Sequence, residues 1–340
     1  MYKTEVILMT NNHVSPFQEI KDDDALEFVE INRSFITRSL GEHGLGFLVN
    51  IYKIEKNNKP MEEKPIFTFA FDVGSFNQTF LNNAKVQGIR LDDIECVALS
   101  HWHFDHSGAL YPLLKQIKNE VPVLCHRNAN KERFFKRSFE INLQDYDNKK
   151  RDVIEPLISS QKVVNQEPVD LQKMKQLGGK IVFTNECYEI FSQNNYKIIL
   201  SGEIPRNHDL EISKDFLINQ DGILRTDSIS DDMCVIIEKE DSVSVLLGCC
   251  HSGIMNTLDH VKRLTDKPIN YVIGGFHMAS ANEQRLEKTI EYLLNFQSEN
   301  KPLYLFPIHC TGDRFLFEMK KKSTPLVKAY NASVGTIFNL

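Results

Sequence analysis

The six residues His101-Trp102-His103-Phe104-Asp105-His106, closing the apolar segment Ile94–Ser100, constrain this chain more than any other feature. The chain has 11 His in 340 residues, yet three fall within these six positions, interleaved with one carboxylate. In an extended chain alternate side chains share a face, so His101, His103 and Asp105 are expected to point the same way. Neutral imidazole and carboxylate are donors suited to zinc, iron or manganese. Ser107-Gly108 then opens a helical pattern over Ala109–Ile117, which places the candidate ligands on a strand-to-helix turn. A polar loop that happens to be rich in His is the bland alternative, and the density of the cluster argues against it.

Apolar runs bounded by polar residues predict a mixed α/β chain in two similar halves. In the first half, strands are expected at Glu5–Met9, Leu45–Ile54, Ile66–Asp72, Glu95–Ser100 and Val121–Cys125, with helices at Asn77–Gln87 and Ala109–Lys118. In the second, strands are expected at Lys180–Thr184, Tyr188–Ser192, Tyr196–Ser201, Met233–Glu238, Ser242–Leu247, Asn270–Ile273 and Leu303–Phe306. Helices are expected at Ser252–Leu264 and Ala281–Phe296. Between the halves, residues 127–176 are more polar, with the run Asp145-Tyr146-Asp147-Asn148-Lys149-Lys150-Arg151. We read them as an inserted cap or surface elaboration of a single domain spanning 1–340, since such connections tend to border active sites. Candidate ligands recur just beyond apolar strands: His251 after Leu246-Leu247-Gly248, His277 after Val272-Ile273-Gly274, and His309 after Phe306-Pro307-Ile308. His13, His126, His208 and His260 have no comparable context, and His43 is a lesser pocket candidate.

Composition narrows the function classes. A net charge of −6 with scattered Lys and Arg gives no basic stripe, so no nucleic-acid surface is expected. Lys320–Lys322, the densest late cluster, reads as a solvated helix end. No apolar run reaches 18 residues, so no membrane span is expected, and Val6–Met9 is too short for a signal segment. Seven irregularly spaced Cys argue for reduced thiols and a cytoplasmic protein rather than a disulfide framework. Cys96, Cys125, Cys187 and Cys234 are expected in the core. Cys249, Cys250 and Cys310 lie beside candidate ligands, and packing is the favoured role for them too. Oligomeric state leaves no mark in the sequence.

The pattern His-x-His-x-Asp-His after a buried strand resembles the metallo-beta-lactamase superfamily of metal-dependent hydrolases. Phe71-Asp72-Val73-Gly74 resembles the Asp-x-Gly that ends an early strand there. Gly248-Cys249-Cys250-His251-Ser252-Gly253-Ile254-Met255-Asn256, Gly274-Gly275-Phe276-His277 and Ile308-His309-Cys310-Thr311-Gly312 are similar to one branch, often labelled dihydropterin-methyl-ribofuranosylaminobenzene-phosphate synthase-like. That branch usually has Ser where this chain has Cys250. The resemblance implies a four-layer αββα sandwich with its metal site along one edge. It also implies that His101 and His103 hold a first metal with a later His, that Asp105 and His106 hold a second, and that His309 is the final ligand. His251 is the best candidate for another ligand, although its motif lies where many relatives carry a bridging Asp. Glu203 and Asp232 are substitutes for that bridge. His277 is expected to bind substrate, donate a proton or bind metal. Asp72 is expected to fix a His tautomer, and Arg206 either meets an anionic substrate group or is solvated.

The implied cofactor is one or two divalent metal ions, zinc first, with iron or manganese accepted by the same donors. Two such ions about 3.5–4 Å apart can lower the pKa of a shared water toward roughly 7, supplying a hydroxide nucleophile. Asp105 is then expected to ligate and to orient that nucleophile. The first function class is therefore hydrolysis of a small-molecule ester, phosphodiester or lactone. A carbon–nitrogen bond-forming synthase that joins a dihydropterin-methyl pyrophosphate to a ribofuranosylaminobenzene phosphate is the second. A non-catalytic metal sensor is the third, disfavoured because an open ligand set is what catalysis keeps.

Overall fold

A computed structural model of the chain describes residues 1–340 apart from 19, 21–27, 32–35, 56–60, 62–63, 138–139, 213–214 and 297–300. Two sheets stack face to face. Among the described residues the first runs, in spatial order, Val29–Ile31, Thr336–Asn339, Tyr2–Thr10, Gly46–Lys53, Phe67–Val73, Cys96–Ala98, Val121–Cys125 and Gly179–Phe183. The second runs Tyr188–Gln193, Tyr196–Leu200, Cys234–Glu238, Val243–Leu247, Ile269–Gly275, Leu303–Ile308 and Val327–Ala329. Phe47, Phe69, Phe71, Leu246, Phe306 and Phe338 fill the space between them.

Helices cover both outer faces. Thr79–Gln87 and Leu110–Leu114 lay Phe80, Ala84, Leu110 and Leu113 on the first sheet. Ile254–Leu264, Glu283–Leu294 and Asp313–Lys321 lay Leu258, Val261, Leu286, Ile290, Phe315 and Met319 on the second. The result is the αββα sandwich. Burial on both faces explains why the central strands read as unbroken apolar runs rather than alternating ones; all of Val243–Leu247 is buried. The same double coverage made these strands easy to find from sequence. Lys320 and Lys321 do end a helix, whereas Cys187, expected in the core, is exposed.

Register gathers the functional loops. Phe67–Val73, Cys96–Ala98 and Val121–Cys125 pair in parallel, with Phe71 beside Ala98 and Ala98 beside Leu124. In the other sheet Leu246 pairs with Ile273 and Ile273 with Phe306, again in parallel. Parallel in-register strands end at one edge, and the loops leaving them converge there.

The polar segment 127–176 is more structured than its composition suggests. Its strands Arg133–Lys136 and Val163–Gln166 join Phe216–Gln220 and Ile223–Thr226 in a small four-stranded sheet. Phe134, Leu143, Ile154, Val163, Leu217 and Leu224 form its own core. The strands Phe216–Gln220 and Ile223–Thr226 carry no sequence signal of their own, because strands of four or five residues have too few alternations to stand out.

Candidate metal centre

The cluster after Cys96–Ala98 is half loop and half helix. His101 follows the strand in a loop, and His103, in extended backbone, precedes a short helix, Phe104–Ser107, that carries Asp105 and His106. The expectation that His101, His103 and Asp105 share one strand face is thus corrected: the helical turn swings Asp105 toward His106 instead. Both sets of side chains are buried, and later motifs meet them. The ring of His251 lies 4.8 Å from that of His101 and 4.9 Å from that of His103. The ring of His309 lies 5.1 Å from that of His106, and its Nε2 is 3.3 Å from Asp105 Oδ2.

Two ligand sets result. Asp105, His106, Cys249 and His309 each place a donor atom within 4.8 Å of the others, and so do His101, Cys249 and His251. His103 stands beside the second set, its ring 4.6 Å from that of His101.

Neighbouring side chains hold the imidazoles by their far nitrogens. Asp72 Oδ2 accepts from His106 Nδ1 at 2.7 Å and from Ser100 Oγ at 2.7 Å. Because the Ser100 hydroxyl hydrogen goes to Asp72, its oxygen accepts from His101 Nδ1, 2.9 Å away. Asn12 Oδ1 accepts from His309 Nδ1 at 2.7 Å. Each bond turns the opposite nitrogen toward the cluster. The buried His101 Nε2, His309 Nε2 and both nitrogens of His251 make no hydrogen bond there. Orphaned buried donors are costly unless something binds them, so this donor set fits divalent metal ions.

Backbone geometry supports the same edge. Asp72, Cys250, His277 and His309 all have positive φ, between 48° and 62°, a conformation that non-glycine residues seldom adopt and that clusters at functional sites. Gly248 is required for a different reason: a Cβ there would sit 2.1 Å from Ser100 Oγ. Glu211 accepts from Met255 N and Asn256 N at 3.0 and 2.9 Å, anchoring the helix that follows His251.

Charge in the cluster is divided. Burial holds His103 down to about 3 and His309 to about 4, and it also lowers His101 and His251. These imidazoles are neutral and ligand-ready. Burial would lower His106 as well, but the Asp105 and Asp72 charges outweigh it and raise the group to about 9. The metal-free chain therefore keeps a proton on His106 at neutral pH, which an incoming cation must displace. Metal affinity is expected to rise about tenfold per pH unit from this group until the pH passes about 9, then to level. Competition with a chromogenic chelator measures it; a flat affinity between about pH 6 and 8 would contradict the assignment.

The remaining sequence candidates separate. His277 lies beside the cluster, its ring 4.3 Å from that of His251, in neither ligand set. Asp72 stands against His106, its Oδ2 2.7 Å from His106 Nδ1. Neither substitute for the bridge is in a ligand set: Glu203 stands 3.5 Å from His126 Nε2, and Asp232 Oδ2 accepts from Ser252 N at 2.8 Å. Arg206, partly exposed, donates to the carbonyls of Ile204 and Ile229 and braces that loop. Cys250 packs in the outer core, as expected, but Cys249 does not. The signal for Cys249 was its place, the first side chain after a strand-ending glycine and two before His251. His43 reaches the mouth, its Nε2 3.4 Å from Asp105 Oδ2 and its ring stacked on His309 at 5.1 Å. From the small sheet, Phe216 covers the cluster, 5.2 Å from both His103 and His251.

Comparison with known proteins places this geometry. A metallo-beta-lactamase superfamily model matches residues 71–181, which carry the Asp72 motif and the whole His101–His106 cluster. A crystal structure described as a metal-dependent hydrolase of the beta-lactamase superfamily covers 99% of both chains with a TM-score of 0.67 at 19% identity, a likeness of fold. Residues 71–181 thus match the metallo-beta-lactamase superfamily, and the chain as a whole has that fold. The chain is similar to a Methanocaldococcus jannaschii protein named 7,8-dihydropterin-6-methyl-4-(beta-D-ribofuranosyl)-aminobenzene-5'-phosphate synthase. The two are 27% identical over 290 residues, 82% of this chain and 86% of that one. An uncharacterised protein of the same organism is 24% identical, over 86% of this chain and 92% of that one.

Proposed function

We propose that the chain is a metal-dependent hydrolase of a small ester, phosphodiester or lactone. The convergence of His101, His103 and His251 with Asp105, His106 and His309 at one sheet edge, with imidazole nitrogens left unpartnered, carries this reading. Bound divalent ions, zinc first among them, would supply a nucleophile from water and an electrophile for the substrate oxygen. The chain's own residues do the rest. Burial alone would push the Asp105 carboxyl up, but His106, His309 and His103 hold it well below the usual range, so it is an anion able to ligate and to orient a proton donor. Asp72 and Asn12 fix the rings of His106 and His309. Phe216 shields the inner imidazoles from water. His277, partly exposed beside His251, is placed to bind substrate.

The synthase reading is favoured by one observation, the name of the 27% identical relative. The two separate in one experiment. Metallated protein is assayed against bis-nitrophenyl phosphate, nitrophenyl acetate and lactones, with and without chelator, and in parallel with a dihydropterin-methyl pyrophosphate and an aminobenzene ribonucleotide. Turnover of at least one hydrolase probe, abolished by chelator, is expected. Silence on all of them with consumption of the pterin pyrophosphate would replace hydrolase by synthase.

A further inference from the structure

We infer that Cys249 Sγ is a thiolate shared by two metal ions, standing at the bridge between the ligand sets. The inference rests on the metal-centre reading above and goes beyond it, since that reading needs only imidazoles and Asp105. Cys249 is the one side chain common to both sets, His101/Cys249/His251 and Asp105/His106/Cys249/His309. Its Sγ is 3.1 Å from His106 Nε2, the ring nitrogen that Asp72 does not hold. The residue is buried, as are His101 and His251, which keep unpartnered nitrogens beside it.

Backbone geometry explains how a residue this close to a strand end reaches the midpoint. Gly248 lets the chain pass against Ser100, and Cys310 Sγ donates to the Cys249 carbonyl at 3.3 Å, holding the turn from the other side. Alternation then separates the neighbours. Cys249 faces the cluster, Cys250 turns into the outer core with its Sγ 3.3 Å from Thr257 Oγ1, and His251 faces the cluster again. Of the carboxylates that might have served, Glu203 stands against His126 and Asp232 accepts from Ser252 N through Oδ2, and neither is in a ligand set. A thiolate is a softer donor than a carboxylate and favours zinc, cobalt(II) or iron over magnesium and manganese. Binding costs one thiol proton, released to solvent as the metal–sulfur bond forms.

Cobalt(II) titration of the apoprotein tests this without any turnover. A near-ultraviolet sulfur-to-cobalt charge-transfer band should grow until both positions are filled. It should vanish in Cys249→Ser and persist in Cys250→Ser and Cys310→Ser. Cys249→Asp should bind two ions with no such band and shift the preference toward manganese. X-ray absorption of the wild-type zinc form covers the case in which the Ser variant fails to fold: both ions should carry a sulfur at about 2.3 Å. Sulfur on only half of the bound metal would make Cys249 a terminal ligand and overturn the shared position. Two bound cobalt ions with no charge-transfer band, or a band untouched by Cys249→Ser, would overturn the thiolate while leaving the metal centre standing. A chain that takes up no cobalt or zinc at all would overturn both.

Discussion

Asp105→Asn is expected to lower metal-dependent turnover by about 10²–10⁴-fold while the fold persists. The neutral amide keeps the carboxylate's shape but loses its charge, so it is a poor ligand and cannot take a proton. It also removes one of the two anions that hold the His106 proton, the other being Asp72. The His106 ring should therefore titrate lower in the variant, and histidine NMR of the apoprotein reports that shift independently of activity. Stability should change little, because Asp105 sits at a sheet edge and contributes no apolar area to the core between the sheets. Circular dichroism and a thermal melt check the fold. Turnover that survived both the substitution and a chelator would mean that another group performs the chemistry.

The second large effect lies outside the cluster. Arg133, 1% exposed, forks onto Asp231 with bonds of 2.8 and 2.7 Å, and Asp227 lies 3.4 Å from its Nε. Asp231 also accepts from Trp102 N at 2.8 Å. One buried ion pair thus ties the small sheet to the turn between His101 and His103. Arg133→Met removes the cation and leaves two buried carboxyls unpaired, which costs about 3–5 kcal/mol. The pH dependence has a definite sign. Burial would raise the Asp231 carboxyl, but Arg133 outweighs it and holds it below its ordinary value. A group depressed in the folded state stabilises it above the unfolded carboxylate value of about 3.9 and loses that contribution as pH falls through the folded value. The gap between wild type and Arg133→Met in urea unfolding should therefore be wide at neutral pH and narrow in acid. A gap that stayed constant across that range would show that the pair is not charged in the folded protein.

Much of this molecule was legible from its sequence because long apolar strands and dense ligand motifs are both local signals. Val121–Cys125 was located to the residue, and His101, His103, Asp105 and His106 announced themselves within six positions. What escaped depends on distance along the chain. Arg133 and Asp231 are 98 residues apart, and nothing local distinguishes them from surface charges. Phe216 covers His103 across more than a hundred residues, from a strand too short to register. Cys249 failed for a chemical reason: a buried thiol packs as readily as it ligates, and only the placement of His101, His106 and His309 around it distinguishes the two roles.

The small sheet over the cluster is woven from two separate excursions, 133–166 and 216–226, that leave the sandwich at different points and pair only with each other. Neither excursion can be exchanged for a relative's without orphaning the other's hydrogen bonds, so the specificity of this site can be inherited or transplanted only as a matched pair. Recombination at a single crossover between the two would leave the His cluster intact and strip it of its roof.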